Sequence, residues 1–288
     1  MKSIITASQH ASRPGFIKNL PAHCVCFYPR SDTLLVTFDH VGSLTIKQGR
    51  LPWAFGLAEK LGWSHLGNMT KQNDWFRHKS MFATYRAMRK EGFFESFDEV
   101  VFLGASMGGY AACAFSVVSP GARVVAFSPQ STLRRDLVPF ETRFHNGRKL
   151  GDWTGPWVDS AHTVEKASNV KLFYDPHFTG DAAHAARYKK GHIEHYPAPY
   201  LGHKVPTGLK AIGQFEPIVL AAVQDDLTQA KYRTLLRDRR REPLHALRVL
   251  KRAQKRGHND LVKRVIANGT IPYAPDYIAR MARRLSIS

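Results

Sequence analysis

From Val100 to Ala122 the chain runs without a single charged residue. A stretch of that length would span a bilayer as one helix, but Gly104, Ser106, Gly108, Gly109 and Pro120 interrupt it. Residues 99–103 (EVVFL) are β-branched and aromatic and read as a strand, and residues 107–118 read as a helix that is apolar all round. A strand and a helix both buried on every side, joined by a glycine turn, belong at the centre of a layered α/β domain.

The joining residues are Gly104-Ala105-Ser106-Met107-Gly108-Gly109. A serine on so tight a strand-to-helix turn takes a strained backbone, and the positions two before and two after it have no room for side chains. Its hydroxyl is held at the carboxyl end of the sheet. The first N–H groups of the helix lack intrahelical partners and point at the same place, where they favour negative charge. Ser106 is therefore the candidate nucleophile; a glycine turn that binds phosphate or merely packs tightly is the plainer alternative.

Around this centre, strand and helix patterns alternate. Strands are predicted over 23–28, 33–38, 63–69, 122–127, 170–174 and 192–196, and helices over 52–61, 80–90, 181–190 and 208–224. That alternation implies a mainly parallel sheet with helices on both faces. Pro29-Arg30-Ser31-Asp32 reads as the turn of a hairpin joining 23–28 to 33–38, which would add antiparallel strands at one edge. Residues 130–168 form a looser segment in which Trp153, Trp157, Arg134, Arg135 and Arg143 are candidates for pocket walls or anion recognition, half-buried aromatics being the commoner role.

Beyond Asp225 the texture changes to short amphipathic helices, expected near 227–241, 243–256, 259–268 and 274–286, with Pro243 and Pro272 at starts and Gly257 and Gly269 at ends. The expected domains are thus 1–225 and 226–288. Formal charge is +19, from 42 Lys+Arg against 23 Asp+Glu. Residues 226–288 hold 16 basic against 5 acidic residues, a net +11, so more than half the excess sits on about a fifth of the chain. An acidic partner or an anionic surface would meet the protein there; with few aromatics and no nucleic-acid-binding signature, specific nucleic-acid recognition is not expected.

Three cysteines, Cys24, Cys26 and Cys113, are too few for a disulfide framework or a four-ligand zinc site. Cys24 and Cys26 would share one face of a strand, where a bridge would be strained. A reduced, cytoplasmic setting is the expectation, with no transmembrane segment and no secretory leader in the first sixteen residues. His177, Asp181 and His184 have the spacing of ligands on one helical face, but Asp181 cannot easily serve both a metal and a catalytic pair; no metal and no cofactor is expected.

GASMGG after VVFL, with a later acid and a Gly-His, resembles the α/β-hydrolase superfamily over roughly residues 20–224. That resemblance implies a Ser-acid-His triad in this chain order, with the acid after the seventh strand and the His after the eighth. Gly202-His203 follows the last predicted strand by a short loop, so His203 is the candidate base. Asp181, at the start of helix 181–190, and Asp175, at the end of strand 170–174, compete for the acid; Asp181 fits the pattern better, and helix N-capping is its plain alternative. For the oxyanion the resemblance implies the Met107 N–H and a donor from the loop after strand 33–38; the sequence there departs from the HGGG of many esterases, and His40 could donate, contact substrate or be a plain loop residue. The expected function is a serine hydrolase cleaving an ester or related acyl bond through an acyl-enzyme. The alternatives are an acyltransferase to a glycan or other alcohol, and a hydrolase-like binding module that works through its basic tail. The elbow's second glycine and the following Phe127-Ser128-Pro129-Gln130 also resemble hydrolase-like proteins of bacterial surface-polysaccharide loci, which implies a small-molecule or glycan acyl substrate.

Overall fold

The computed structural model describes residues 14–45, 49–241 and 243–268. Its strands are β1 (Phe16–Asn19), β2 (His23–Tyr28), β3 (Thr33–Phe38), β4 (Ser64–Thr70), β5 (Glu99–Ala105), β6 (Arg123–Phe127), β7 (Asn169–Tyr174) and β8 (Ile193–Pro197). They form one sheet in the order β1-β2-β4-β3-β5-β6-β7-β8. β1 and β2 run antiparallel at one edge, and every pairing from β4 onward is parallel.

Helices α1 (Phe55–Leu61), α2 (Lys79–Lys90), α3 (Met107–Phe115), α4 (His145–Leu150), α5 (Ser160–Thr163) and α6 (Thr179–Ala185) fill the connections between strands, and α7 (Val205–Ala211) and α8 (Phe215–Val223) follow β8. After the sheet come α9 (Gln229–Leu235), α10 (Pro243–Lys255) and α11 (Asn259–Ala267).

The two-residue period of the strands divides the core. In β5, Val100 and Phe102 join a layer with Tyr85, Tyr110 and Phe115, while Val101 and Leu103 join a layer with Ala58, Val219 and Tyr232 on the other face. β6 repeats this, with Val124 and Ala126 on the first side and Val125 and Phe127 on the second. Helices thus cover both faces, and the charge-free stretch resolves into β5 and α3 at the middle of the sheet. Among the described residues no helix is long and apolar enough to cross a membrane.

The expected hairpin is corrected by the pairing. β2 and β3 do not meet, because β4 lies between them, antiparallel to β2 and parallel to β3. The turn that looked like a hairpin is pinned instead to the start of β4: Ser64 Oγ accepts the N–H groups of Arg30 and Ser31 and donates to the Ser31 carbonyl. The chain is carried across β4, and the true neighbour hairpin is β1–β2, whose four-residue β1 is wholly exposed.

Other expected boundaries also shift. The helix expected at 208–224 is two helices, α7 and α8, broken at Gly213 with φ +70°. The one expected at 181–190 is α6, three residues past which the chain has already turned at Tyr188. Tyr232 of α9 and Leu236 are buried in the same layer as Val219, whereas Leu250 of α10 and Val262 of α11 make a small cluster of their own. The helix expected at 274–286 lies outside the described residues.

Candidate active site

All the loops that leave the carboxyl ends of β3, β5, β7 and β8 converge, because parallel strands deliver their ends to one rim of the sheet. Ser106 follows β5 directly, with φ +53° and ψ −116°, a conformation side chains rarely adopt. Its N–H donates to the Phe127 carbonyl at 2.8 Å and its carbonyl accepts from Tyr110, so neighbouring elements hold the strain in place. The flanking glycines are sterically required. A Cβ at Gly104 would lie 2.0 Å from the Gly108 oxygen, and one at Gly108 would lie 2.5 Å from the Phe38 oxygen and 2.8 Å from that of Asp39.

Ser106 Oγ is 2.9 Å from His203 Nε2, across 97 positions of sequence. On the other side of the ring, His203 Nδ1 is 2.7 Å from Asp181 Oδ2. With an ionised Asp181 the proton sits on Nδ1, which leaves Nε2 to accept the serine hydroxyl. Asp181 is 1% exposed, so water does not compete for that bond. Asp175 holds backbone instead. Its Oδ2 accepts the Gly202 N–H at 2.7 Å and its Oδ1 the His177 N–H at 2.8 Å, bracing the histidine loop against the acid loop. Of the two competing carboxylates, then, Asp181 reaches the imidazole and Asp175 reaches the backbone beside it.

His40 lies where β3 ends. The Phe38–Asp39 backbone abuts the first turn of α3 at Gly108, so the turn bearing His40 lies beside the N-terminus of that helix. Asp39, fully buried, ion-pairs with Arg50 and accepts the Thr70 N–H, which fixes this turn. Burial pushes the His40 imidazole pKa down, with Asp39 opposing and Lys210 reinforcing the shift.

The residues singled out in the looser segment divide. Trp153 packs on Arg77 and donates to the Gly147 carbonyl, and Trp157 packs on Phe82 and Phe115; both serve the core. Arg134 pairs with the exposed Asp136, and Arg135 is exposed. Arg143 alone reaches the site, through Asp181. The metal-like trio is occupied otherwise, since Asp181 holds His203 and Arg143 while His184 is bound by Ser131 and Glu141. No cluster of three or more potential metal ligands occurs among the described residues.

Several neighbours carried no sequence signal. Phe144 and Phe178 set their ring centroids 6.0 and 5.9 Å from His203. α10 reaches the same loop: Arg248 Nη1 donates to the Tyr200 carbonyl, and His245 packs on the Tyr200 ring. Such contacts join segments distant in sequence, and no spacing rule exposes them.

The strand order, with Ser106 after β5, Asp181 after β7 and His203 after β8, is the decisive observation. The chain has the α/β-hydrolase fold. No protein-family model and no curated protein matches it. Solved structures that align with it include the capsule O-acetyltransferase of Neisseria meningitidis serogroup A, at 12% identity and TM-score 0.47, covering 72% of this chain and 94% of that one. Est1E from Butyrivibrio proteoclasticus aligns at 9% identity and TM-score 0.46 over 73% of this chain and 99% of its own. The Staphylococcus aureus fluorophosphonate-binding serine hydrolase FphF does so at 10% and 0.46, over 75% and 100%. These alignments are distant, and the fold is read from this chain's own strand order.

Proposed function

We propose that this protein is a serine-dependent acyl-transfer enzyme that cleaves an ester or related acyl bond through an acyl-enzyme on Ser106. The observation that carries this reading is the unbroken run of short polar contacts from Ser106 Oγ through the His203 ring to buried Asp181.

In this mechanism Ser106 Oγ attacks the acyl carbon and its proton passes to His203 Nε2, while the carbonyl electron pair moves onto oxygen. The Met107 N–H, freed by its place at the start of α3, is one donor to that oxyanion, and the His40 N–H, from the turn that follows the Phe38–Asp39 backbone against Gly108, is the second. Collapse re-forms the carbonyl and expels the alcohol, which takes the proton from His203. Water or an acceptor alcohol then loses its proton to His203 as it attacks the acyl-enzyme, and Ser106 is released with the proton returned. Asp181 keeps the ring in the tautomer that each step needs and stabilises its charged form.

Mixing the protein with p-nitrophenyl acetate and quenching in acid tests this. One acetyl group on Ser106 by intact mass and peptide mapping is the expected result, and its decay with and without added alcohols and oligosaccharides separates transfer to water from transfer to an acceptor. Release of p-nitrophenol at the same rate from Ser106→Ala would reject the reading.

A further inference from the structure

Resting on that reading of Ser106, His203 and Asp181, we propose that Arg143 is a positioning residue for the acid. It fixes the plane of the Asp181 carboxylate and sets the charge that His203 faces.

Both oxygens of Asp181 are committed. Oδ2 meets His203, and Oδ1 accepts from Arg143 Nη1 at 2.9 Å. A carboxylate held at both oxygens by two elements cannot rotate away from the imidazole. Arg143 is itself immobilised: Nε donates to Glu141 Oε1 at 3.0 Å, Nη2 donates to Glu141 Oε2 at 2.5 Å, and its guanidinium lies 4.8 Å from the Phe144 ring centre and 5.1 Å from that of Phe178. Those same rings flank His203. Gly180 makes space for the guanidinium, since a Cβ there would lie 2.9 Å from Arg143 Cζ.

Behind Arg143 the polar chain continues. His184 Nδ1 accepts the Ser131 N–H at 3.1 Å, so its Nε2 carries the proton and donates to Glu141 at 3.0 Å. Burial opposes ionisation of Glu141, but the hydrogen bonds from His184 and Arg143 outweigh it and hold its carboxyl well below the usual range. Glu141 and Asp181 are each 1% exposed. Without Arg143, two buried carboxylates would share this corner with no cation between them, and one would take up a proton or draw one onto His203. With Arg143, its charge and that of Glu141 offset each other and the ring faces one net negative charge. Charged groups on the histidine loop itself are Asp175, whose Oδ2 accepts the Gly202 N–H, Lys204, next in the chain, and Arg248 of α10, on the Tyr200 carbonyl; all three are unchanged in the variants below.

An ion pair that merely fastened residues 141–144 to α6 would cost stability when broken and leave the pH profile alone. The test uses the full chain as wild type, Arg143→Lys, Arg143→Gln and Gly180→Ala. Phosphonylation of Ser106 by a fluorophosphonate and turnover of p-nitrophenyl acetate are followed from about pH 5 to 9, beside thermal unfolding. Arg143→Gln is expected to lower kcat about 10- to 100-fold with KM little changed, the scale seen when an outer partner of a reacting group is removed. Its acidic limb moves to higher pH, and Arg143→Lys brings the limb back. Gly180→Ala, which crowds the guanidinium without removing it, shifts the limb in the same direction and decides the matter if Arg143→Gln does not fold. An unmoved limb in both Arg143→Gln and Gly180→Ala would overturn the inference while leaving the Ser106 reading intact. Absence of labelling in the wild type would overturn the reading itself.

Discussion

Arg248 and Tyr200 link the basic C-terminal region to the candidate base: the guanidinium donates to the Tyr200 carbonyl at 3.0 Å, three residues before His203. Tyr200 sits at φ +67°, a region costly for a residue with a Cβ, while Gly202 takes φ +69° freely, so the strain in the loop between β8 and α7 falls on Tyr200, whose carbonyl Arg248 holds. A Cβ at Gly202 would also come within 3.3 Å of the same guanidinium. Arg248→Ala should lower kcat on p-nitrophenyl acetate about threefold to tenfold, the equivalent of one hydrogen bond of about 1 kcal/mol, with a smaller change for Arg248→Lys. Steady-state kinetics of the two variants checks this.

Asp181 and Asp175 should separate cleanly by mutation. On the proposed mechanism, Asp181→Asn preserves the shape of the site but presents the wrong tautomer, so kcat is expected to fall on the order of 10⁴-fold, the scale known for serine-histidine-acid enzymes. Asp175→Ala removes an acceptor from two backbone N–H groups; it should cost about 1–3 kcal/mol of stability and only about tenfold in kcat. Urea unfolding and kinetics on both proteins measure the two effects.

Gly104→Ala tests the steric account of the serine turn. The added methyl would meet the backbone oxygen of Gly108, which has no side chain to move aside. A destabilisation on the order of 3 kcal/mol is expected, read as a lower urea midpoint at unchanged m-value, whereas Gly56→Ala, which meets nothing within 4 Å, should stay near wild type.

Buried histidine makes stability fall with acid. Burial, with Arg30 adding to it, pushes the His65 imidazole down to about 3 from its ordinary 6.5. The folded protein therefore binds fewer protons than the unfolded chain between those values. The contribution is complete above pH 6.5 and is lost as pH falls towards 3, by up to about 1.4 kcal/mol per unit. Urea midpoints from pH 7 to 4 should fall less steeply in His65→Gln than in wild type.

Much of this architecture is legible from local pattern. Most of strands β2 to β8 announce themselves as short β-branched and aromatic runs, β4 (SHLGNMT) least of them, and the serine turn does so because close backbone packing tolerates only glycine at Gly104 and Gly108. Strand order is another matter. β4 enters between β2 and β3, and its Ser64 holds the 30–31 turn from more than thirty residues away; no periodicity encodes that. β1 escapes notice because all four of its residues are exposed and show no alternation. The same limit applies at the site. His203 and Asp181 follow from chain order after strands, but Arg143 gives no hint in sequence that its partners are Asp181 and Glu141 instead of a bound anion.

The most direct measurement is intact-mass analysis of the wild type and Ser106→Ala after exposure to a fluorophosphonate. One adduct per chain on the wild type, mapped to Ser106 and absent from Ser106→Ala, is the predicted result. An unmodified wild type that is folded by circular dichroism, or equal labelling of both proteins, would contradict the assignment of Ser106 as an activated nucleophile.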